Sequence, residues 1–232
     1  MPLVARTIGA AFLGSGPVLL CLSALAWIAV FAVESELRAT VCGSLLRLWA
    51  AVAAEFSTYV MVAGAWCVLT LAMMAPVLGP PVDHVWRSTP RRHRFGTLLA
   101  FLSSYVLVWD VAGAGLIQAA LPLVARFTSV YLDAFACVLL LAWQLCPGKQ
   151  LCLNRCHQVR PLAPFGLKAL VDPVLFGLQV GFWCVGSCWA LMFAMLIGLL
   201  DHWFLMLAAS ALVFLERQLP TKAISWGAIL KP

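Results

Sequence analysis

Between Val174 and Ile197 the chain carries no charged side chain. Wound as an α-helix at about 1.5 Å per residue, a stretch of that length crosses the ~30 Å hydrocarbon core of a bilayer. The sequence reads as six such spans, near Ile8–Val33, Tyr59–Leu78, Gly96–Leu121, Val130–Cys146, Val174–Ile197 and Leu200–Leu215. In lipid each backbone N–H and C=O has to find its partner within the protein, so the expected fold class is all-α, a polytopic helical bundle. Composition argues the same way. Of 232 residues 64% are hydrophobic and only 10% charged, where a soluble domain carries roughly a quarter. Residues 1–232 therefore read as a single integral membrane domain.

The first run, Ile8–Val33, is longer than the ~7–15 residues of a signal-peptide core, and "VESELR" after it offers no small-x-small cleavage site. It reads as a retained helix with a bend at Pro17. Between the first two spans, residues 37–57 set Leu37, Val41, Leu45, Leu48, Trp49 and Val52 near one face, interrupted by Arg38, Arg47 and Glu55. That pattern suits a helix lying in the membrane interface.

Loop charge gives an orientation. With six spans, Arg6, Arg87, Arg91, Arg92, Arg94, Lys149, Arg155, Arg160, Lys168, Arg217, Lys222 and Lys231 share one side, and only Arg38, Arg47 and Arg126 fall opposite. Such a bias puts both termini in the cytoplasm. The net charge of +6 and the run "RSTPRRHRF" are then a topology signal in contact with anionic lipid. No nucleic-acid-binding motif is present, so membrane lipid is the expected partner and nucleic acid is not.

Nine cysteines and seven methionines are the chemistry this sequence offers. Cys21, Cys67, Cys137 and Cys184 each fall near the middle of a span. An apolar setting keeps such thiols protonated and inert, so Cys21, Cys67 and Cys137, taken singly, read as packing. Only Cys42 falls outside, which leaves no disulfide framework.

"WCVGSCWALM" is denser. Cys184, Cys188 and Met192 recur at helical spacing, on the face that also carries Gly177 and Gly181. Two readings stay open there: small residues at a tight helix interface, or soft ligands converging on Cu(I). Met73 and Met74 near the cytoplasmic end of the second span could add thioether ligands, although only one of them can face a given neighbour. The connection "WQLCPGKQLCLNRCHQVRPL" clusters Cys146, Cys152, Cys156 and His157. Short Cys/His-rich tracts often bind metal, and Cys152 and Cys156 would share one helical face; a metal site and a reduced, unligated pair both stay open there. Asp110 falls in mid-span, where a charge costs at least about 2.5–3.5 kcal/mol. It reads either as protonated and hydrogen-bonded to Gln144, Gln179 or a carbonyl, or as a metal ligand or proton-relay group. Asp201, His202, Glu216 and Arg217 lie at span ends, where solvation suffices. No histidine falls inside a span, so no haem is expected.

Four stretches taken together, "WCVLTLAMMAP", "YVLVWD", "WQLCPGKQLCLNRC" and "VGFWCVGSCWALM", followed by "LERQLP", resemble a bacterial family of predicted metal-binding integral membrane proteins of unknown function. The resemblance runs from about Tyr59 to Pro220. Trp66, Ala72, Met73, Met74 and Pro76 match its Trp-x6-Ala-Met-Met-x-Pro element. Lys149, Cys152 and Cys156 match its Lys-x2-Cys-Leu-x2-Cys element. Cys184, Gly186, Cys188, Trp189, Leu191 and Met192 match its Cys-x-Gly-x-Cys-Trp-x-Leu-Met element, with Ser187 where a further cysteine is common. The resemblance implies a multi-pass protein of the bacterial inner membrane that handles metal.

The leading expectation is a non-enzymatic protein that binds, delivers or transports a soft transition metal, Cu(I) above all, exchanging it with a donor or acceptor protein. Its ligands would be Cys184 and Cys188, with Met73, Met74 or Met192, while Cys152 and Cys156 load or receive the ion at the cytoplasmic face. An accessory subunit or assembly factor of a larger membrane complex is the alternative, and a membrane thiol oxidoreductase a minor one.

Overall fold

The computed structural model describes residues 15–32, 56–197 and 203–218, and among these the regular structure is helical throughout. The interfacial helix expected over 37–57, the start of the first span and residues 219–232 lie outside the described residues, apart from Phe56 and Ser57. In chain order the helices are α1 (Gly16–Ala32), α2 (Phe56–Met74), α3 (Gly79–Ser88), α4 (Arg94–Arg126), α5 (Ser129–Leu145), α6 (Pro147–Cys156), α7 (Lys168–Ile197) and α8 (Trp203–Gln218). Among the described residues, three continuous stretches are long and apolar enough to cross a membrane: Ala63–Ser88, Arg94–Arg126 and Lys168–Ile197. α5 and α6 would form a fourth if taken as one broken span, and Gly16–Val30 is a shorter apolar helix. Large apolar side chains such as Val111, Val138 and Phe182 point outward, which fits insertion in a membrane and would be costly in water.

Prolines set the interruptions. Pro17 sits in the first turn of α1, where a missing N–H is harmless; the residues before it that the expected bend would involve lie outside the described residues. Pro76 lies in a 3-10 turn, Ala75–Leu78, which joins α2 to α3 and tightens the backbone without ending the run. Cys146, extended ahead of Pro147, breaks the chain between α5 and α6 by 63°. The Cys146 thiol caps the new helix, accepting from the Gly148 N–H at 3.4 Å.

Close approach of α4 and α7 depends on glycine. A Cβ on Gly177 would run into Ser104 Oγ and the Phe101 carbonyl, and one on Gly181 would lie 3.0 Å from Val108 Cβ and 3.3 Å from the Tyr105 carbonyl. Gly113 does the same for α2, because its bare surface receives the Trp66 indole. Trp66 Nε1 donates to the Trp109 carbonyl at 3.0 Å. Trp66→Phe removes that donor and part of the ring filling the notch. A loss of about 1–3 kcal/mol is expected, read as a lower thermal midpoint in detergent. α1 is tied to α2 and α3 by Ser23 Oγ donating to the Ala72 carbonyl at 2.5 Å and the Ser15 N–H donating to Asp83 at 2.8 Å.

The bend after α5 corrects one expectation. The cysteine-rich tract does not hang as a solvated connection. It folds back against the middle of α7, with Arg155 over the Trp183 ring and Cys152 against Gly186. Lys149, counted above among the loop charges, is buried and ion-paired with Glu216 of α8 at 2.6 Å. Glu216, 10% exposed at its side chain, is satisfied by that pair and not by solvation at a span end.

Candidate metal site

The glycine seam on α7 continues upward as sulfur. Gly177, Gly181, Cys184 and Cys188 share one face, and the same close approach that seats the glycines on α4 brings Cys184 to Tyr105. Tyr105 Oη donates to Cys184 Sγ at 3.4 Å. The Trp109 indole, one turn further along α4, stands beside the same thiol, and its Nε1 is buried with no hydrogen-bond partner among the described residues. From the end of α2 comes Met74, whose Sδ lies 4.0 Å from Cys184 Sγ. Cys188 Sγ, one helical turn further along the same face, donates to the Cys184 carbonyl at 2.9 Å. Met74 and Trp109 are wholly buried, and Cys184, Cys188 and Tyr105 nearly so.

This arrangement can hold a soft ion. With metal–sulfur bonds of about 2.3 Å, as in zinc thiolates, a 4.0 Å sulfur separation corresponds to roughly 120° at a shared ion. Two thiols and a thioether match what Cu(I) accepts. Among the described residues no group of three or more His, Cys, Asp and Glu could hold a metal, so a site for a harder ion is not assembled from them. The donors around Cys184 also suit an anionic sulfur. Tyr105 Oη already points at it, and the Trp109 N–H has no competing acceptor among the described residues.

The sequence-derived ligands separate on this geometry. Cys184, Cys188 and Met74 come together. Met73 and Met192 are buried in the same core, and Met73 belongs to the turn of α2 that Ser210 of α8 reaches through its carbonyl. Cys152 contacts Gly186, which faces away from Cys184 and Cys188 on α7, so it lies on the other side of that helix. Cys156 is buried in α6, and both ring nitrogens of His157 are engaged with the Leu153 and Arg217 carbonyls at 2.9 and 3.2 Å. Asp110 pairs with none of the partners expected for it. Its Oδ1 accepts from Cys67 Sγ at 3.3 Å. Cys21 and Cys137 are exposed. Tyr105 and Trp109 are the residues that sequence reasoning passed over, and Lys149 reads in the sequence only as a loop charge and a motif match. The four-residue spacing of Tyr105 and Trp109 within "YVLVWD" was the one available signal.

Residues 63–229 match the family model described as PpoB2, copper chaperone. The chain belongs to this copper chaperone family. No curated protein and no solved structure matches it. The PpoB2 match takes in all of α3 to α8 and the part of α2 that holds Trp66 and Met74, so every residue of the sulfur cluster falls inside it. It also agrees with the broader resemblance to a metal-binding family, which covers nearly the same stretch.

Proposed function

We propose that this chain is a membrane-embedded chaperone that carries Cu(I) on the sulfurs of Cys184 and Cys188, with Met74 as a weaker donor. It passes the ion to an acceptor protein. The observation that carries this reading is the buried meeting of Cys184 Sγ and Met74 Sδ at 4.0 Å, within a chain of the copper chaperone family. Copper here is cargo. Handing it on requires exchange of sulfur ligands and no covalent chemistry on a substrate, so the proposed role is not enzymatic. A thioether with two thiols suits that task, because a weak third donor can give way to an incoming ligand while the thiolates hold the ion.

Cys152 and Cys156 are left out of the carrying set, since Cys152 sits across α7 from it. Met73, Met192 and Asp110 are left out as well. The loop-charge pattern supports both termini in the cytoplasm, and the resemblance to a bacterial membrane family supports the inner membrane as the location.

Metal content tests the reading. Protein purified anaerobically in detergent and supplied with Cu(I) should retain close to one copper per chain by mass spectrometry. Zinc in its place, or no metal in well-folded protein, would sink the proposal.

A further inference from the structure

One polar cluster remains unexplained by the sulfur site itself. Lys149 Nζ and Gln144 Nε2 both donate to Glu216 Oε1, at 2.6 and 3.0 Å, and Lys149 also donates to Gln144 Oε1. The ion pair is 5% and 10% exposed at its side chains. Burying two charges costs several kcal/mol per ion, and a hydrophobic pair of similar volume would often serve stability as well. The location of this pair is what distinguishes it. Lys149, Gln144 and Glu216 line a small cavity together with Ser187 and Cys188, and its volume is about 10 Å³. That is close to the least space that holds one water molecule. Cys188 lies within the electrostatic reach of Lys149. The sulfur cluster and the ion pair are therefore neighbours, one on each side of a gap large enough for a single bridging water.

Charge balance then poses a question. Cu(I) binding to two thiols releases two protons and leaves a copper dithiolate of net charge −1. Buried beside an intact Lys149–Glu216 pair, that anion would find the cation that reaches Cys188 already neutralised, while Arg217, the other cation close by, acts on Tyr105. Resting on the copper reading above, we infer that the Lys149–Glu216 pair is the charge-compensating device of the copper site. One of the two displaced thiol protons passes across the cavity to the Glu216 carboxylate, and the other leaves the protein. Protonated Glu216 no longer neutralises Lys149, whose ammonium then becomes the counter-cation of the dithiolate. Before loading, the charges are +1 on Lys149 and −1 on Glu216. Afterwards they are +1 on Lys149 and −1 on the copper dithiolate, with Glu216 neutral. The net charge of the buried site does not change, and one proton leaves for each Cu⁺ that enters. On release the steps reverse, so giving up copper restores the ion pair. Gln144 is a positioning residue here, holding both members through its amide.

The test uses full-length protein in detergent at pH 7, loaded with Cu(I) from its acetonitrile complex, which brings no protons of its own. Affinity is read by competition with a chromogenic Cu(I) chelator, and proton release by a pH indicator in weak buffer. Wild type should release close to one proton per copper. Glu216→Gln has no carboxylate to retain the second proton, so it should release close to two. Lys149→Met should bind copper about 10- to 100-fold more weakly, the scale of an outer-shell loss. If Lys149→Met does not fold because Glu216 is left unpaired, the double variant Lys149→Met/Glu216→Gln removes both charges and should show the same weakening. Equal proton release from wild type and Glu216→Gln, or unchanged affinity in the folded Lys149 variants, would overturn the inference while leaving the copper reading intact. A wild type that takes up no copper would overturn both.

Discussion

Replacing both thiols, Cys184→Ala with Cys188→Ala, is expected to take retained Cu(I) from about one per chain to none, because a lone thioether supplies no anionic ligand for the ion. The single variants should each leave a thiol and the Met74 thioether, and so bind weakly instead of not at all. Met74→Leu keeps the volume and loses only the sulfur donor, so it should weaken binding and leave the fold unchanged. Cys152→Ala with Cys156→Ala should retain wild-type copper, since Cys152 packs on the opposite face of α7. Folding has to be checked in each case. Cys184→Ala strips the Tyr105 hydroxyl of its acceptor, at a cost of about 1–3 kcal/mol. Cys184→Ser restores an acceptor without a soft ligand and separates that loss from the loss of copper. Copper retained in full by the folded double alanine variant would mean that the sulfur stripe is packing.

Much of this site was legible in the sequence, and the missing part has a physical reason. Helical spacing alone places Gly177, Gly181, Cys184 and Cys188 on one face, and the structure uses that face against α4. Spacing could not say what α4 would present there, so Tyr105 and Trp109 went unassigned. Depth in the bilayer was also too coarse a guide. Cys21, Cys137 and Cys184 share a similar position along their spans, yet the first two are exposed and the third is 1% exposed. What separates them is rotation about the helix axis relative to neighbours, which no single helix encodes. The Lys149–Glu216 pair was hidden for a related reason. Reading charges outside the spans as solvated assumes that connections run away from the bundle. The break at Cys146–Pro147 turns α6 back onto α7, and a residue scored as a topology signal becomes a buried cation. Pro147 marks the break, and the 63° turn that follows depends on tertiary contacts. Met74 could be chosen over Met73 only once the partner helix was known. Their side chains point about 100° apart, and the one that meets Cys184 belongs to the last residue of α2.

Gly177→Val should produce the largest loss of stability of any single substitution on α7. The added Cβ meets Ser104 Oγ and the backbone carbonyl of Phe101. A side-chain oxygen can rotate away. The Phe101 carbonyl cannot, because it is part of the α4 ladder and also accepts from Ser104 at 2.8 Å. The two helices must therefore separate, and overpacking of that kind costs about 3 kcal/mol or more when backbone has to move. The rest of the chain provides two controls. At Gly115 a Cβ would meet nothing within 4 Å, so Gly115→Ala should be neutral or slightly stabilising through helix propensity. At Gly186 the nearest atom is Cys152 Sγ at 2.8 Å, the free end of a side chain, so Gly186→Ala should be tolerated after a rotamer change. Thermal unfolding in detergent should rank Gly177→Val far below both. Copper affinity should fall with it, although residue 177 lies about 10 Å along the helix from Cys184. The separation needed at Gly177 carries Tyr105 away from Cys184, and with it the polar contact that holds the thiol in place. A Gly177→Val protein as stable as Gly115→Ala, with unchanged copper affinity, would mean that α4 and α7 do not meet along this seam, and the sulfur site built on it would fall as well.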